Sequence, residues 1–321
     1  MNIDTKEIWA ASDARRVAAA RYLYNPRVTL IDVGWKIKGG EQTDQLAVRI
    51  HVRNKPSEAV FESFSMQNQA LVIDKGRIPF DVVDFIEASY KLHYYYWPTT
   101  YTQTNERARR CDPLCGGISI SNGRFYNYGT LGGIVIDKST REEMVLSNWH
   151  VLVGSFYVPK GQKIYQPGTG DGGNYKDAIA TLERDVMVDG IDAAVAKLNT
   201  DRDWVNNQLK IGAVKGSEAP RLGMQVTKSG RGSDVTYGVI DGVEGEYPIR
   251  YGGLWRKIKY VQRIVPQPGY RDVSQGGDSG SWWLNQSTDR AVALHFAGFE
   301  DTALAISMPQ VLDALNVKIW V

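Results

Sequence analysis

Three short stretches of this 321-residue chain carry groups that together can do acyl-transfer chemistry. The stretch "SQGGDSGSWWL" sets a small hydroxyl, Ser279, behind two glycines and an aspartate and then starts an apolar strand. Acyl transfer needs a nucleophile and N–H donors aimed at the oxygen where charge develops. The backbone N–H groups of Gly277 and Ser279 can aim at one point, because a glycine lets the chain take the required turn, and Gly280 leaves room beside the hydroxyl. Taken alone, G-D-S-G also describes a tight turn and nothing more. In "VLSNWHVL" an apolar strand ends at Leu146, and His150 follows a Ser-Asn turn. Such a histidine is anchored, yet can face a cleft and move a proton. A packed, satisfied ring is the commoner reading of any single histidine. "DGIDAAVAKL" places Asp192 among small apolar neighbours, where a carboxylate is costly without a partner. A histidine N–H supplies one and fixes the ring's tautomer. "KDAIATL" offers Asp177 as a rival, and either aspartate alone is an ordinary turn residue.

The elements that must position these groups are short strands. From Gly116 onward, runs such as "GTLGGIVID", "EMVLSN", "MQVTKSG", "KIKYVQRIV" and "AVALHFAG" alternate with Gly, Asn, Asp and Pro. That pattern predicts a sandwich or barrels rather than alternating β/α units, and its length suits two small barrels over about 116–212 and 220–308. A C-terminal helix is predicted over 309–316, with Pro309 at its start. Upstream, residues 1–90 read as a small α+β domain. It opens with an amphipathic helix whose interspersed charges make a poor signal peptide. A strand at 27–37 follows. "LAVRIHV" then alternates with period two, which predicts a strand with one buried face and His51 at the surface. Residues 57–70 read as helical and 78–87 as a strand. Residues 91–115 form an aromatic-rich connector in which "ERARR" (106–110) is a solvated linker.

Bulk composition excludes several classes. A hydrophobic fraction of 43% and a charged fraction of 23% are those of a soluble globular protein. A net charge of +2 gives no basis for a nucleic-acid partner or an anionic membrane, and no run approaches the roughly 20 apolar residues of a membrane helix. Cys111 and Cys115 are too close in sequence to staple distant parts of a fold, which implies a reduced, cytoplasmic setting. No second Cys or His pair stands at ligand spacing, so neither a metal nor a cofactor is expected. "PGTGDGG" (167–173) lacks the Lys-Ser/Thr of a phosphate-binding loop and reads as a surface loop.

His, Asp and Ser occur in that order, each at a strand-and-turn junction. With these motifs the sequence resembles the chymotrypsin-fold (trypsin-like) serine peptidases: "LSNWHV" is similar to their histidine motif, "IDAAVAKL" to their aspartate strand and "GGDSGS" to their serine loop. The resemblance spans 116–321. It implies an all-β pair of six-stranded antiparallel barrels with the three groups in the cleft between them. His150 would be base then acid, Asp192 would orient it, and Ser279 would attack the carbonyl. Asp192 matches the family's strand more fully than Asp177, and it follows His150 by 42 residues against 27. A narrower resemblance, carried by "AVRIHVRNKP", "IPFDVVD", "YQPGTGDGG", "DAIATL", "QVTKSGRG" and "ALHFAG", is to the plant narrow-leaf-type peptidases and their bacterial relatives. It implies an intracellular enzyme with a small N-terminal domain, in a family of which some members form higher homo-oligomers. Where those relatives read K-x-G-R-T-T-G, this chain has "KSGRGSDVTYG", a departure that leaves the loop at 228–232 without an assigned role.

The resemblance also implies a substrate site. Val273, six residues before Ser279, would form an apolar pocket base that disfavours Lys or Arg, although a shift of one residue, to Asp272, would reverse this. Leu294, His295, Phe296, Ala297 and Gly298 would form the pocket wall and a backbone edge on which extended peptide pairs as a strand. His295 is either a second cleft histidine or a packed one, with the packed reading preferred. In secreted relatives a newly cut N-terminus pairs with the aspartate before the serine, here Asp278. No "IVGG"-like start is visible, so activity is expected without trimming. The expected function is an intracellular serine endopeptidase acting on protein or peptide. The alternative is a protease-fold scaffold that holds extended peptide segments and hydrolyses little.

Overall fold

The computed structural model describes residues 5–38, 41–53, 83–87, 91–92, 106–251, 254–299 and 301–321. The chain divides into two compact units, one of residues 1–90 and 241–262, the other of residues 91–240 and 263–321. The readings made above for 57–70, 78–82 and 93–105 lie outside the described residues.

The first unit begins with helix α1 (Thr5–Tyr22). Glu7 in its first turn and Arg21 in its last complement the helix dipole. Strands β1 (Val28–Lys38) and β2 (Glu41–Val52) pair antiparallel, and β3 (Val83–Glu87) adds in parallel to β2. Ala14, Ala18 and Ala19 of the helix pack with Leu23, Val28, Ile31, Val48, Ile50 and Val52 into one apolar core. The small side chains let helix and sheet approach closely. The expectation of one buried face on β2 needs correction. Residues 46–52 are buried throughout, and His51 is a core residue whose Nε2 lies 3.0 Å from Asp32 Oδ1. Alternation finds the polar face of a strand but not whether something covers it.

The second unit starts with β4 (Lys91–Leu92), a short 3₁₀ turn at Glu106–Ala108 and β5 (Leu114–Gly116). Arg107 is fully buried rather than solvated: it donates to the Gly117 carbonyl at 2.8 Å and Ser229 Oγ at 2.6 Å and pairs with Asp234. Then come β6 (Ser119–Asn122), β7 (Gly129–Thr130), β8 (Gly133–Asp137), β9 (Glu143–Ser147), the one-turn helix α2 (Trp149–Leu152), β10 (Lys163–Tyr165), β11 (Ala178–Asp185) and β12 (Ala194–Leu198). These strands form one antiparallel sheet in the order β7-β6-β10-β11-β12-β9-β8. Main-chain bonds from Leu131 N–H to the Ile118 carbonyl (2.8 Å) and from Gly132 N–H to the Leu146 carbonyl (3.0 Å) bring its two ends together. Strands β13 (Trp204–Gln208) and β14 (Gly212–Ala213) join β5 in a small separate sheet.

The second barrel comprises β15 (Gln225–Gly230), β16 (Asp234–Tyr251), β17 (Leu254–Pro266), β18 (Trp282–Asn285), β19 (Ala291–Phe299) and β20 (Thr302–Ser307). Its order is β15-β18-β19-β20-β17-β16, and β16 pairs back onto β15 to close the ring. Helix α3 (Met308–Ala314) follows, with Pro in its first turn, and β21 (Val317–Ile319) returns to β8. The fold is therefore the all-β double barrel expected, with a small α+β part before it. The strand pattern did not reveal that residues 241–262 of the β16–β17 hairpin belong to the first unit, where Val33 faces Val243 and Ile31 faces Glu246. A period-two run continues unchanged when its partner strand changes. No helix among the described residues is long and apolar enough to cross a membrane.

Candidate active site

Strand register brings His150 and Asp192 together. Antiparallel pairing of β9 with β12 sets Ser147 opposite Ala194, so residues leaving β9 meet residues entering β12. The Asn148 side chain donates to the Asp192 carbonyl at 2.7 Å, and the Asn148 carbonyl accepts the N–H groups of Val151 and Leu152 to start α2. Asp192 accepts the His150 backbone N–H at 3.1 Å with Oδ1, and its Oδ2 lies 2.6 Å from ring Nδ1. An ionised carboxylate only accepts, so the proton of this contact sits on Nδ1. Both side chains are almost fully buried. Asp177 goes elsewhere: it closes a capping box with Asn174 and pairs with Arg110 at 3.4 Å.

The Ser279 loop docks at the end of the same strand. The Ser279 carbonyl accepts the Thr130 N–H at 2.7 Å. Gly280 has φ +99°, and a Cβ there would overlap Ser147 Oγ and the Thr130 carbonyl, so only glycine fits. Ser147 ends β9, three residues before His150. The Ser279 residue is fully buried, and its hydroxyl donates to the Phe296 carbonyl at 3.4 Å. Gly280 N–H bonds to the His295 carbonyl and His295 N–H to the Ser281 carbonyl, each at 2.9 Å, lacing the loop to β19. Gly277, also at φ +99°, lies against the Tyr128 ring. Its carbonyl is taken by Thr130 Oγ1 at 2.8 Å.

The loop's shape is fixed from below by Asp278, which is completely buried. Lys228 Nζ lies 2.7 Å from its Oδ2, which also accepts the Ser233 hydroxyl (2.6 Å) and the Gln275 N–H (2.8 Å). Its Oδ1 accepts the N–H groups of Gly232 (2.9 Å) and Ser233 (3.0 Å). Burial alone would raise this carboxyl. The Lys228 ammonium, His295 and the hydrogen bonds overcome it and hold the group well below the usual carboxylate range. The loop at 228–232, which the motif comparison left without a role, is thus the cradle of the residue preceding Ser279. Its Arg231 donates to both oxygens of Asp171 (2.7 and 2.5 Å) and stacks over Tyr128 at 4.2 Å. Pro167, Gly168, Gly170 and Asp171 are buried while Gly172 is exposed, so "PGTGDGG" is a half-buried brace rather than a plain surface loop. Sequence reasoning missed Lys228, Ser233, Thr130 and the Asp171–Arg231 pair. The one usable signal was a lysine inside the apolar strand "MQVTKSG", since a cation there requires an acid.

Val273 is fully buried, with its carbonyl bound by Thr236 Oγ1 at 2.7 Å, whereas Asp272 is exposed. Leu294, His295, Phe296 and Ala297 are fully buried and Gly298 is buried beside them on β19. The His295 ring packs edge-on to Trp283 at 6.3 Å, the packed arrangement. No cluster of metal-ligating side chains exists among the described residues, and Cys111 and Cys115 are free.

Solved structures similar to this chain include a Nocardiopsis protease (NAPase), at 16% identity and TM-score 0.47, with 64% of this chain and 98% of that one covered. Thermobifida fusca protease A gives the same identity, TM-score and coverage. A glutamic acid-specific serine protease gives 16% identity and TM-score 0.48, covering 64% of this chain and 100% of its own. No protein-family model matches the chain, and the comparison with curated proteins returns no match.

Proposed function

We propose that this chain is a serine endopeptidase working through Ser279, His150 and Asp192. The observation that carries the reading is convergence at one strand end: His150, held by Asp192, follows the terminus of β9, and the Ser279 loop packs against Ser147 at that same terminus. In this reading the Ser279 oxygen attacks a peptide carbonyl and its proton passes to His150 Nε2. The C–O bond forms as the carbonyl π pair moves to oxygen, where the N–H groups of Gly277 and Ser279 receive it. His150 returns the proton to the departing amine, leaving an acyl ester on Ser279. Water, deprotonated by His150, then releases the acid and restores the serine. Asp192 keeps the imidazole in the required tautomer and stabilises its cationic form.

The substrate class is extended protein or peptide, paired along Leu294 to Gly298. The apolar Val273 at the pocket base favours an uncharged side chain before the cleaved bond. The internal Lys228 occupies the partner position of Asp278, which supports activity without N-terminal trimming. The two free thiols suit the intracellular setting that the resemblance implies. The deciding experiment is labelling by a fluorophosphonate probe, with peptide hydrolysis measured beside it. Ser279→Ala is expected to abolish labelling and lower turnover by roughly 10⁶-fold. Folded wild-type chain that takes no label, or label that persists in Ser279→Ala, would turn the molecule into a peptide-holding scaffold instead.

A further inference from the structure

We infer that Lys91–Leu92 occupies, in cis, the strand-docking edge of the candidate cleft, so that the molecule rests in a self-blocked state that peptide substrate must displace. The inference rests on the reading of Ser279 as nucleophile and adds its regulation. Strand β19 has two edges. One is taken along its length by β20, from Ala293 opposite Ser307 to Phe299 opposite Thr302. The other is taken by β18 only as far as Leu294, which faces Trp282. Beyond that point the Ser279 loop holds His295, and the edge at Ala297 and Gly298 is where an incoming peptide would pair. In this structure that stretch pairs antiparallel with β4, Ala297 opposite Leu92 and Gly298 opposite Lys91.

The direction of the occupant matters as much as its place. From Lys91 to Leu92 the chain runs from Gly298 toward Phe296, whose carbonyl accepts the Ser279 hydroxyl. That is the course of the acyl side of a substrate, whose upstream residues must lie on this row before its carbonyl reaches Ser279. One row of backbone donors and acceptors cannot serve two strands. An intramolecular occupant acts at an effective concentration in the millimolar range, so it raises the apparent KM of any peptide that needs the same edge.

The test is the full-length Lys91→Pro/Leu92→Pro chain, because proline cannot donate to a strand ladder. For a chromogenic tetrapeptide amide, KM is expected to fall about tenfold with kcat little changed. Hydrolysis of a single-residue ester, too short to reach Ala297, stays the same, as does fluorophosphonate labelling of Ser279. If labelling persists but the tetrapeptide KM does not move, the inference is overturned and the peptidase reading stands. If ester and tetrapeptide improve together, the variant has loosened the site generally and the inference also fails. Loss of label in both chains overturns the peptidase reading itself, and the inference with it. Should the proline chain not fold by circular dichroism, Lys91→Gly/Leu92→Gly gives the same contrast.

Discussion

The Lys228–Asp278 pair and the Asp32–Arg49–His51 cluster are built from the same parts. Each is a fully buried aspartate whose carboxyl burial alone would raise, and which its neighbours hold well below the usual range: Lys228 and His295 for Asp278, Arg49 and His51 for Asp32. Each is densely hydrogen-bonded: Arg49 grips both oxygens of Asp32, at 2.8 and 2.6 Å, and reaches Asp241 at 3.3 Å. They differ in what they hold. The Asp32 cluster ties strand side chains of the first unit to one another. Asp278 ties down the main chain of a loop, with Gly277 on one side and Ser279 on the other. Enhanced acidity and burial therefore do not distinguish a site from a structural knot. The distinguishing feature is whether the charge fixes backbone groups that have chemistry to do.

Substitution should separate the two clusters. Lys228→Met leaves Asp278 buried without its cation, which costs about 3–5 kcal/mol of stability. If the pair shapes the oxyanion loop, turnover per folded molecule also falls, on the order of 10²–10³-fold, the loss seen when an oxyanion donor is misplaced. Adding Asp278→Leu to Lys228→Met sharpens this. Replacing a whole buried pair by apolar side chains is often neutral for stability, so urea midpoints should recover while turnover does not. Recovery of both would reduce the pair to a structural knot like its counterpart.

Arg49→Met is the matching experiment on the other cluster. It strands Asp32 and is expected to cost a similar 3–5 kcal/mol, measured by urea denaturation. The kcat/KM of molecules that remain folded should stay within about twofold of wild type, since an effect confined to stability leaves the transition state untouched. A tenfold drop would mean that the first unit supports catalysis as directly as the Asp278 cradle does.

The legibility of these features in the sequence follows from how local they are. Ser279, His150 and Asp192 stand at strand ends, where a hydrophobic run, a turn and a polar residue appear within a few positions. The double-barrel class was readable for the same reason. The Lys228–Asp278 contact joins residues 50 apart, and it depends on β15 lying beside β18 with Lys228 opposite Trp283. Register across a barrel is not written in either strand alone. The pairing of β4 with β19 and the transfer of residues 241–262 to the first unit are equally non-local. His51 was misplaced because alternation marks a polar face without saying what neutralises it, here Asp32 on the adjacent strand.

The smallest expected effect comes from a carboxylate that belongs to neither cluster. Asp137 accepts the N–H groups of Ser139 (2.8 Å) and Thr140 (2.7 Å) and pairs with Arg184, and these bonds lower its carboxyl to about 2. A group more acidic when folded than when unfolded binds fewer protons in the native state, so its contribution is present above the ordinary value of 3.8 and lost as pH falls toward 2. Asp32 and Asp278 act with the same sign and lose their contributions at lower pH still, being the more strongly depressed. Asp137→Asn should therefore lower stability at neutral pH by about 1 kcal/mol, an amount kept small by solvent near Arg184. It should also flatten the fall in stability between pH 4 and pH 2 without abolishing it. If it removed that fall entirely, the two buried aspartates would not be ionised in the folded chain, and the comparison between their clusters would lose its electrostatic basis.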